Sequence, residues 1–227
     1  MQKVVISLGG SIIIPDDRDG AFLSSFASML RPLAADLELY VVCGGGKIAR
    51  YYIVTGRELG GSEKQLDEMG IDVTRINARL LQLALGDLAH GRVPHTVEET
   101  ASQGGKGKVS VMGGTTPGHT TDAVSAALAE KVGASRIVNA TSVDGVYSAD
   151  PRKIKDCVKF DRLTFQQLDD MMNKGKHGAG ASHIFDPLGA EIVKRCRIPI
   201  LVVDGRDLDD MRSAILGQKI KGTVIDG

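Results

Sequence analysis

Residues 109–129, VSVMGGTTPGHTTDAVSAALA, run a short apolar strand into a turn rich in Gly and Thr and then into an Ala-rich helix. A turn of that composition suits an anion. Gly113, Gly114 and Gly118 let bare backbone approach a ligand, and a helix starting near Asp122 aims its first N–H groups back at the turn. Thr115, Thr116, Thr120 and Thr121 add hydroxyls. The competing possibility is an ordinary strand-to-helix loop in which Thr121 or Asp122 only caps the helix. Three other segments share the pattern. VVISLGGS ends in Gly9, Gly10 and Ser11, LELYVVCGGGKIAR reaches Gly44, Gly45, Gly46 and Lys47, and RIVNATSVDGVY places Thr141, Ser142 and a Val-Asp-Gly turn after a strand. Parallel strands deliver their carboxyl ends to one edge, so these turns converge on one crevice.

Lys47 and Arg50 follow the triple glycine directly, where two cations beside exposed N–H groups can hold a transferring phosphate. The alternative is solvated charge on a helix face. Asp122 could cap its helix or orient cations or Mg²⁺ at the strand edge, and His119 could donate to a phosphate or be structural. GGGKIA at 44–49 formally matches the dinucleotide fingerprint G-x-G-x-x-G/A, with Glu63 and Asp67 about 20 residues on. A lysine inside the turn and a long helical stretch where the ribose-binding strand should end argue against a dehydrogenase. Neither a Walker A sequence nor a protein-kinase motif set occurs. His177 and His183 flank GAGAS without zinc-ligand spacing, and no metal-ligating residue is assigned.

The elements that must position these groups follow from periodicity. Strands are expected at 4–8, 37–43, 109–112, 136–140 and 200–203. Helices are expected at 21–33, 47–55, 62–85, 122–132, 164–173, 187–195 and 207–216. The longest opens with Ser62 and Gln65 in capping-box spacing, and its apolar residues 66, 69, 73, 76 and 80 form the expected inner stripe, with Leu81, Leu83 and Ala84 widening it. Residues 86–108 read as a hairpin or flap with a short strand at 95–97, and 173–183 as a loop. Alternating strands and helices imply an α/β fold with a mainly parallel sheet covered on both faces.

Composition narrows the function classes. The 227 residues suffice for one sizeable α/β domain, and 42% hydrophobic with 25% charged residues is ordinary for a soluble globular protein. Lys plus Arg and Asp plus Glu are equal at 28, so no basic field points to nucleic acid or an anionic membrane. Three cysteines without paired spacing favour reduced thiols in the cytoplasm. The opening MQKVVISLGG enters a strand at once, so no signal peptide is expected, and no apolar run approaches the roughly 20 residues of a membrane span.

Taken together, LGGS, GGGKIAR, VMGGTTPGHTTDAVSAALAE, VDGVYSADP and GAGAS…DPLGAEI resemble the amino-acid kinase superfamily, and most closely its archaeal-type uridylate (UMP) kinases. The resemblance spans nearly the whole chain. It implies a three-layer α/β/α sandwich in a single domain, with an acceptor-binding part at roughly 1–135 and an ATP-binding part at roughly 136–227. It implies transfer of a phosphoryl group from ATP, with Mg²⁺, to UMP, by a homohexamer. It puts ATP phosphates near Gly9, Gly10, Gly45 and Arg50, and the adenosine along Thr141, Ser142, Tyr147 and Asp150. UMP would be held by Gly44, Asp67 and the loop of Thr115, Thr116, Pro117, Gly118, His119, Thr120 and Thr121, with Lys47, Arg50 and Asp122 as the catalytic set. Many superfamily members carry Lys where Ser7 stands here. Thr116 replaces a larger polar residue and Ser142 an Asn. Other acceptors within the superfamily (isopentenyl phosphate, acetylglutamate or aspartate) and a non-catalytic nucleotide-binding protein are the alternatives.

Overall fold

A computed structural model of the chain describes residues 1–15, 19–151, 154, 156–175 and 185–227, with backbone alone at 19 and 173–175. The expected loop 173–183 lies largely outside the described residues, and His177 and His183 wholly so. In chain order the elements are β1 (Lys3–Leu8), α1 (Gly10–Ile13), α2 (Asp19–Leu33), β2 (Glu38–Cys43), α3 (Gly46–Glu58), α4 (Glu63–Leu85), α5 (Val97–Ser102), β3 (Val109–Met112), α6 (Thr121–Val132) and β4 (Arg136–Thr141). They continue with β5 (Val146–Tyr147), β6 (Lys159–Phe160), β7 (Arg162–Thr164), α7 (Phe165–Gly175), α8 (Pro187–Cys196), β8 (Ile200–Asp204), α9 (Leu208–Leu216) and β9 (Thr223–Asp226).

Among the described residues, seven strands form one sheet in the order β3-β2-β1-β4-β8-β9-β7, and β5 and β6 pair as a separate antiparallel hairpin. The five expected strands are its parallel part, β3 through β8. Strand β9 runs antiparallel to β8 and parallel to β7. Side chains alternate between two cores. Val4, Ile6 and Leu8 of β1 face the layer of α1, α2, α4 and α9, whereas Val5 faces α6, α7 and α8. Ser7 has the parity of Val5, and so ends the row beneath α6.

Two expectations are corrected. The stretch at 95–97 is not a strand: Thr96 Oγ1 accepts the Glu99 N–H at 3.0 Å and the Glu99 carboxylate accepts the His95 N–H at 2.8 Å, which starts α5. In α4 the capping box forms as expected, but the buried face is Leu66, Val73, Asn77, Ala78, Leu81 and Leu85. Met69, Ile76, Leu80 and Leu83 of the expected stripe point outward, at 36, 57, 36 and 78% exposure. The helix is turned so that Asn77 and the small Ala78 pack inward. The three cysteines are unbridged, and only Cys43 is buried.

The carboxyl ends of β1 and β2 meet without side chains between them. A Cβ on Gly10 would lie 2.1 Å from the Gly46 nitrogen and 2.5 Å from the Gly45 carbonyl carbon, and Gly46 has φ +63°. Gly10→Ala is therefore expected to cost about 3 kcal/mol or more, because backbone itself must move. Gly91→Ala, with open space around it, should stay within about 0.5 kcal/mol. Urea unfolding of both variants checks the contrast.

Candidate functional site

The glycine turns sit where the parallel strands end. The Gly9 N–H donates to the Ala140 carbonyl at 3.0 Å and the Gly44 N–H to the Leu8 carbonyl at 2.9 Å, tying the ends of β4, β1 and β2 together. Gly45 caps α3, so the turn leads into a helix N-terminus. Thr121 Oγ1 approaches to 3.2 Å from the Cβ that Gly44 lacks, which joins the threonine loop to this turn. Lys47 is exposed and its Nζ donates to the Pro15 carbonyl; Arg50, one turn further along α3, is also exposed.

Helix α4 grips both loops from one face. Asn77 Nδ2 donates to the Gly44 carbonyl at 2.7 Å, Thr74 Oγ1 accepts the Gly114 N–H at 2.6 Å, and the Asp67 carboxylate accepts the Gly118 N–H at 2.8 Å. Spacings of seven and three put these residues on one side of the helix. Sequence reasoning found Asp67 but missed Thr74 and Asn77. A polar residue interrupting an otherwise apolar face is the signal that would have found Asn77. Beyond Pro117, the loop presents Gly118, His119 and Thr120 to solvent, with Thr116 exposed before it. Thr120, not Thr121 or Asp122, caps α6 by accepting the Ala123 N–H.

Asp122 lies in the first turn of α6, with Ser7 Oγ donating to its carboxylate at 3.1 Å. Burial pushes its carboxyl up to about 6; the Ser7 bond works against this, and the neighbouring Asp186 carboxylate adds to the rise. Among the described residues no cationic side chain pairs with it. Asp186 caps α8 by accepting the Leu188 and Gly189 N–H groups. Asn139, opposite Ser7 in register on β4, is also buried. The crevice floor is thus a polar patch with an uncompensated carboxyl.

On the β4 side, Thr141 ends its strand and its carbonyl accepts the Gly205 N–H at 2.8 Å; Ser142 is exposed beyond it. Arg206, which sequence reasoning missed, chelates Asp204 through Nε at 2.8 Å and Nη2 at 2.7 Å and reaches the Ser142 carbonyl at 3.2 Å. That guanidinium holds the Asp204 carboxyl below the usual range. Tyr147 stands on β5, and its phenol donates to Asp144 at 2.7 Å, which pushes it up to about 12. Lys159 donates to the other Asp144 oxygen at 2.9 Å, pinning the hairpin. Asp150 is buried, its carbonyl accepting the Ile154 N–H.

Two groups of residues result. Gly9, Gly10, Gly44, Gly45, Asp67 and the threonine loop, with Lys47, Arg50 and Asp122 beside them, form one wall. Thr141, Ser142, Tyr147 and Asp150 follow β4, next to β1 in the sheet. The arrangement can hold two anions on backbone N–H groups and threonine hydroxyls at helix N-termini.

Residues 2–204 match the amino acid kinase family. The chain is 45% identical to the uridylate kinase of Methanoculleus marisnigri, over 99% of this chain and 96% of that protein. It is 41% identical to the uridylate kinase of Methanobrevibacter smithii, over 99% of each. Its fold is similar to the crystal structure of uridylate kinase from Archaeoglobus fulgidus, with a TM-score of 0.87 at 41% identity, covering 99% of this chain and 100% of that one.

The Asp122 carboxyl carries a pH signature. Its proton leaves near pH 6 in the folded chain but near pH 4 when unfolded. Between those values the folded state binds more protons, so this group's contribution to stability falls as pH rises from about 4 to about 6 and is level above. Allowing for partial solvent access, the ionised carboxylate costs about 1–2 kcal/mol. Asp122→Asn should be more stable than the parent by that amount at pH 7.5 and indistinguishable from it near pH 4. Urea midpoints at the two pH values check this.

Proposed function

This chain belongs to the amino acid kinase family, and from that membership we infer that it is a UMP kinase, transferring the γ-phosphoryl group of ATP to UMP to give UDP and ADP. The carrying observation in the site is the Asp67–Gly118 bond, which joins a carboxylate able to accept ribose hydroxyls to a turn able to take a phosphate. A ribose phosphate needs both; isopentenyl phosphate, acetylglutamate and aspartate lack the ribose. The full-length similarity to archaeal uridylate kinases supports the same acceptor.

The acceptor is already an ionised phosphate oxygen at neutral pH, so no general base is needed. The protein must hold two polyanions in line against their repulsion. N–H groups of Gly10 and Gly45 and the Arg50 guanidinium hold the ATP phosphates beside Gly9, and Thr141, Ser142, Tyr147 and Asp150 the adenosine. Gly44, Asp67 and the 115–121 loop hold UMP. Ser7 supplies no cation from β1, so Lys47 and Arg50 carry that task. The flexible lysine stem lets Nζ exchange the Pro15 carbonyl for a phosphate oxygen. Mg²⁺ bound to the phosphates would neutralise charge. Asp122 and Asp186 fit it as neighbouring carboxylates to which the described residues bring no counter-ion.

The reading extends to assembly. The exposed residues Met69, Ile76, Leu80 and Leu83 of α4, spaced seven, four and three apart, share one outward stripe of the helix and make an apolar seam there. Such a seam on a two-fold axis pairs with its own copy. This supports a homo-oligomer, and the uridylate kinase reading takes it to a hexamer. Unbridged cysteines accord with a cytoplasmic protein, and no helix among the described residues is long and apolar enough to cross a membrane. One domain carries both parts, the acceptor at roughly 1–135 and ATP at roughly 136–227.

Purified protein with Mg·ATP is expected to release ADP with UMP, and not with AMP, acetylglutamate, aspartate, isopentenyl phosphate or no acceptor. Arg50→Ala should lower kcat about 100-fold or more with the fold intact; normal turnover removes Arg50 from the mechanism. The double substitution Ile76→Asp with Leu80→Asp should reduce the assembly in analytical ultracentrifugation, and an unchanged sedimentation coefficient would exclude this seam.

A further inference from the structure

Asn77 is 1% exposed on the inward face of α4, with Val73, Ala78 and Leu81 of that helix buried around it. A buried carboxamide costs free energy unless it is hydrogen-bonded. Its Nδ2 donates to the Gly44 carbonyl at 2.7 Å and lies 3.5 Å from the Gly45 carbonyl. In a trans peptide the C=O of one residue and the N–H of the next point in opposite directions across one plane. Holding the Gly44 oxygen toward α4 therefore turns the Gly45 N–H away from it.

That orientation needs an external hold. The peptide is flanked by glycine on both sides, and without Cβ atoms neither residue's own conformational preference fixes its orientation. Flipped, the unit would offer a carbonyl oxygen to an incoming phosphate in place of an N–H, replacing attraction with repulsion. We propose that Asn77 is a positioning residue for phosphoryl transfer: by gripping the Gly44 carbonyl it keeps the Gly45 N–H aimed at the donor phosphates. This rests on the kinase reading above for the identity of the phosphates. Thr74, three residues earlier, orders the acceptor loop in the same way, accepting the Gly114 N–H while its own hydroxyl donates to the Ile71 carbonyl.

A residue that only stabilises the fold and one that aims an N–H at phosphate differ in what ligand they affect. Binding of ADP and of adenosine is measured by calorimetric titration in the parent chain, Asn77→Ala and Asn77→Asp, alongside kcat with UMP. The expected result for Asn77→Ala is ADP binding weakened about tenfold or more, adenosine binding within twofold of the parent, and kcat reduced. Asn77→Asp keeps the shape but lacks the donor when ionised, so its ADP affinity should recover toward the parent's as pH is lowered and the carboxyl is protonated. Equal losses for ADP and adenosine, unchanged ADP affinity in a folded variant, or failure of both variants to fold would each overturn the proposal. A parent chain that binds ADP but does not turn over UMP would refute the acceptor reading and leave the Asn77 comparison valid. A parent that binds neither ligand overturns both.

Discussion

Two neighbouring parallel strands end in turns that touch backbone to backbone, and the rest of the site is arranged around that contact. Gly10 and Gly44–Gly46 fill a space in which no Cβ fits. The approach brings the loop after β1 and the N-terminus of α3 to one point at the sheet edge. Glycine also brings no conformational preference of its own to the peptides between these positions. The structure meets that freedom with side chains from a distant element: Asn77 on the Gly44 carbonyl, Thr74 on the Gly114 amide and Asp67 on the Gly118 amide. A long, capped helix is a rigid ruler for such a task. Its length is supported by the capping box at Ser62 and the buried stripe from Leu66 to Leu85.

The crevice departs from good packing where chemistry would happen. Asp122 is pressed against a sheet whose parity puts Ser7 beneath it, and among the described residues no cation balances it or the neighbouring Asp186 carboxylate. A natural protein retains such a group when ligand charge completes the site, and tolerates the lost stability. Ser7 gives one hydrogen bond where a lysine would give charge. The cations nearest the turn after β2 are on α3, whose Lys47 and Arg50 stand exposed at its start. Across the crevice the Arg206–Asp204 chelate and the Lys159–Asp144–Tyr147 cluster fix the loops after β4 and β8. Their polar groups are already engaged with one another.

Much of this was legible in the chain. Continuous β-branched runs mark the five parallel strands because both faces of that sheet are covered. Periodicity and caps locate seven helices to within a few residues, but not α1, a single turn of four residues too short to show a period, nor α5, where a Thr-Val pair resembles a strand until Thr96 caps the turn. Strands β7 and β9 escaped notice: they are short and mix polar with apolar residues, and they exist only because they pair with each other and with β8. The orientation of α4 was also misjudged. Its apolar residues outnumber what one face can bury, and periodicity alone does not say which stripe goes inward.

The sequence by itself determined the turns, the strands that end in them and the residue types able to hold phosphate, because glycine, threonine and helix starts act through local backbone chemistry. It determined the family too, since the diagnostic blocks are contiguous in the chain. Only the tertiary structure decided which distant groups meet: Asn77 with Gly44, Thr74 with Gly114, Ser7 with Asp122 and Arg206 with Ser142. These contacts join residues 33 to 115 positions apart. Such meetings depend on strand register and helix rotation, which the packing of the whole sheet sets and no local pattern encodes.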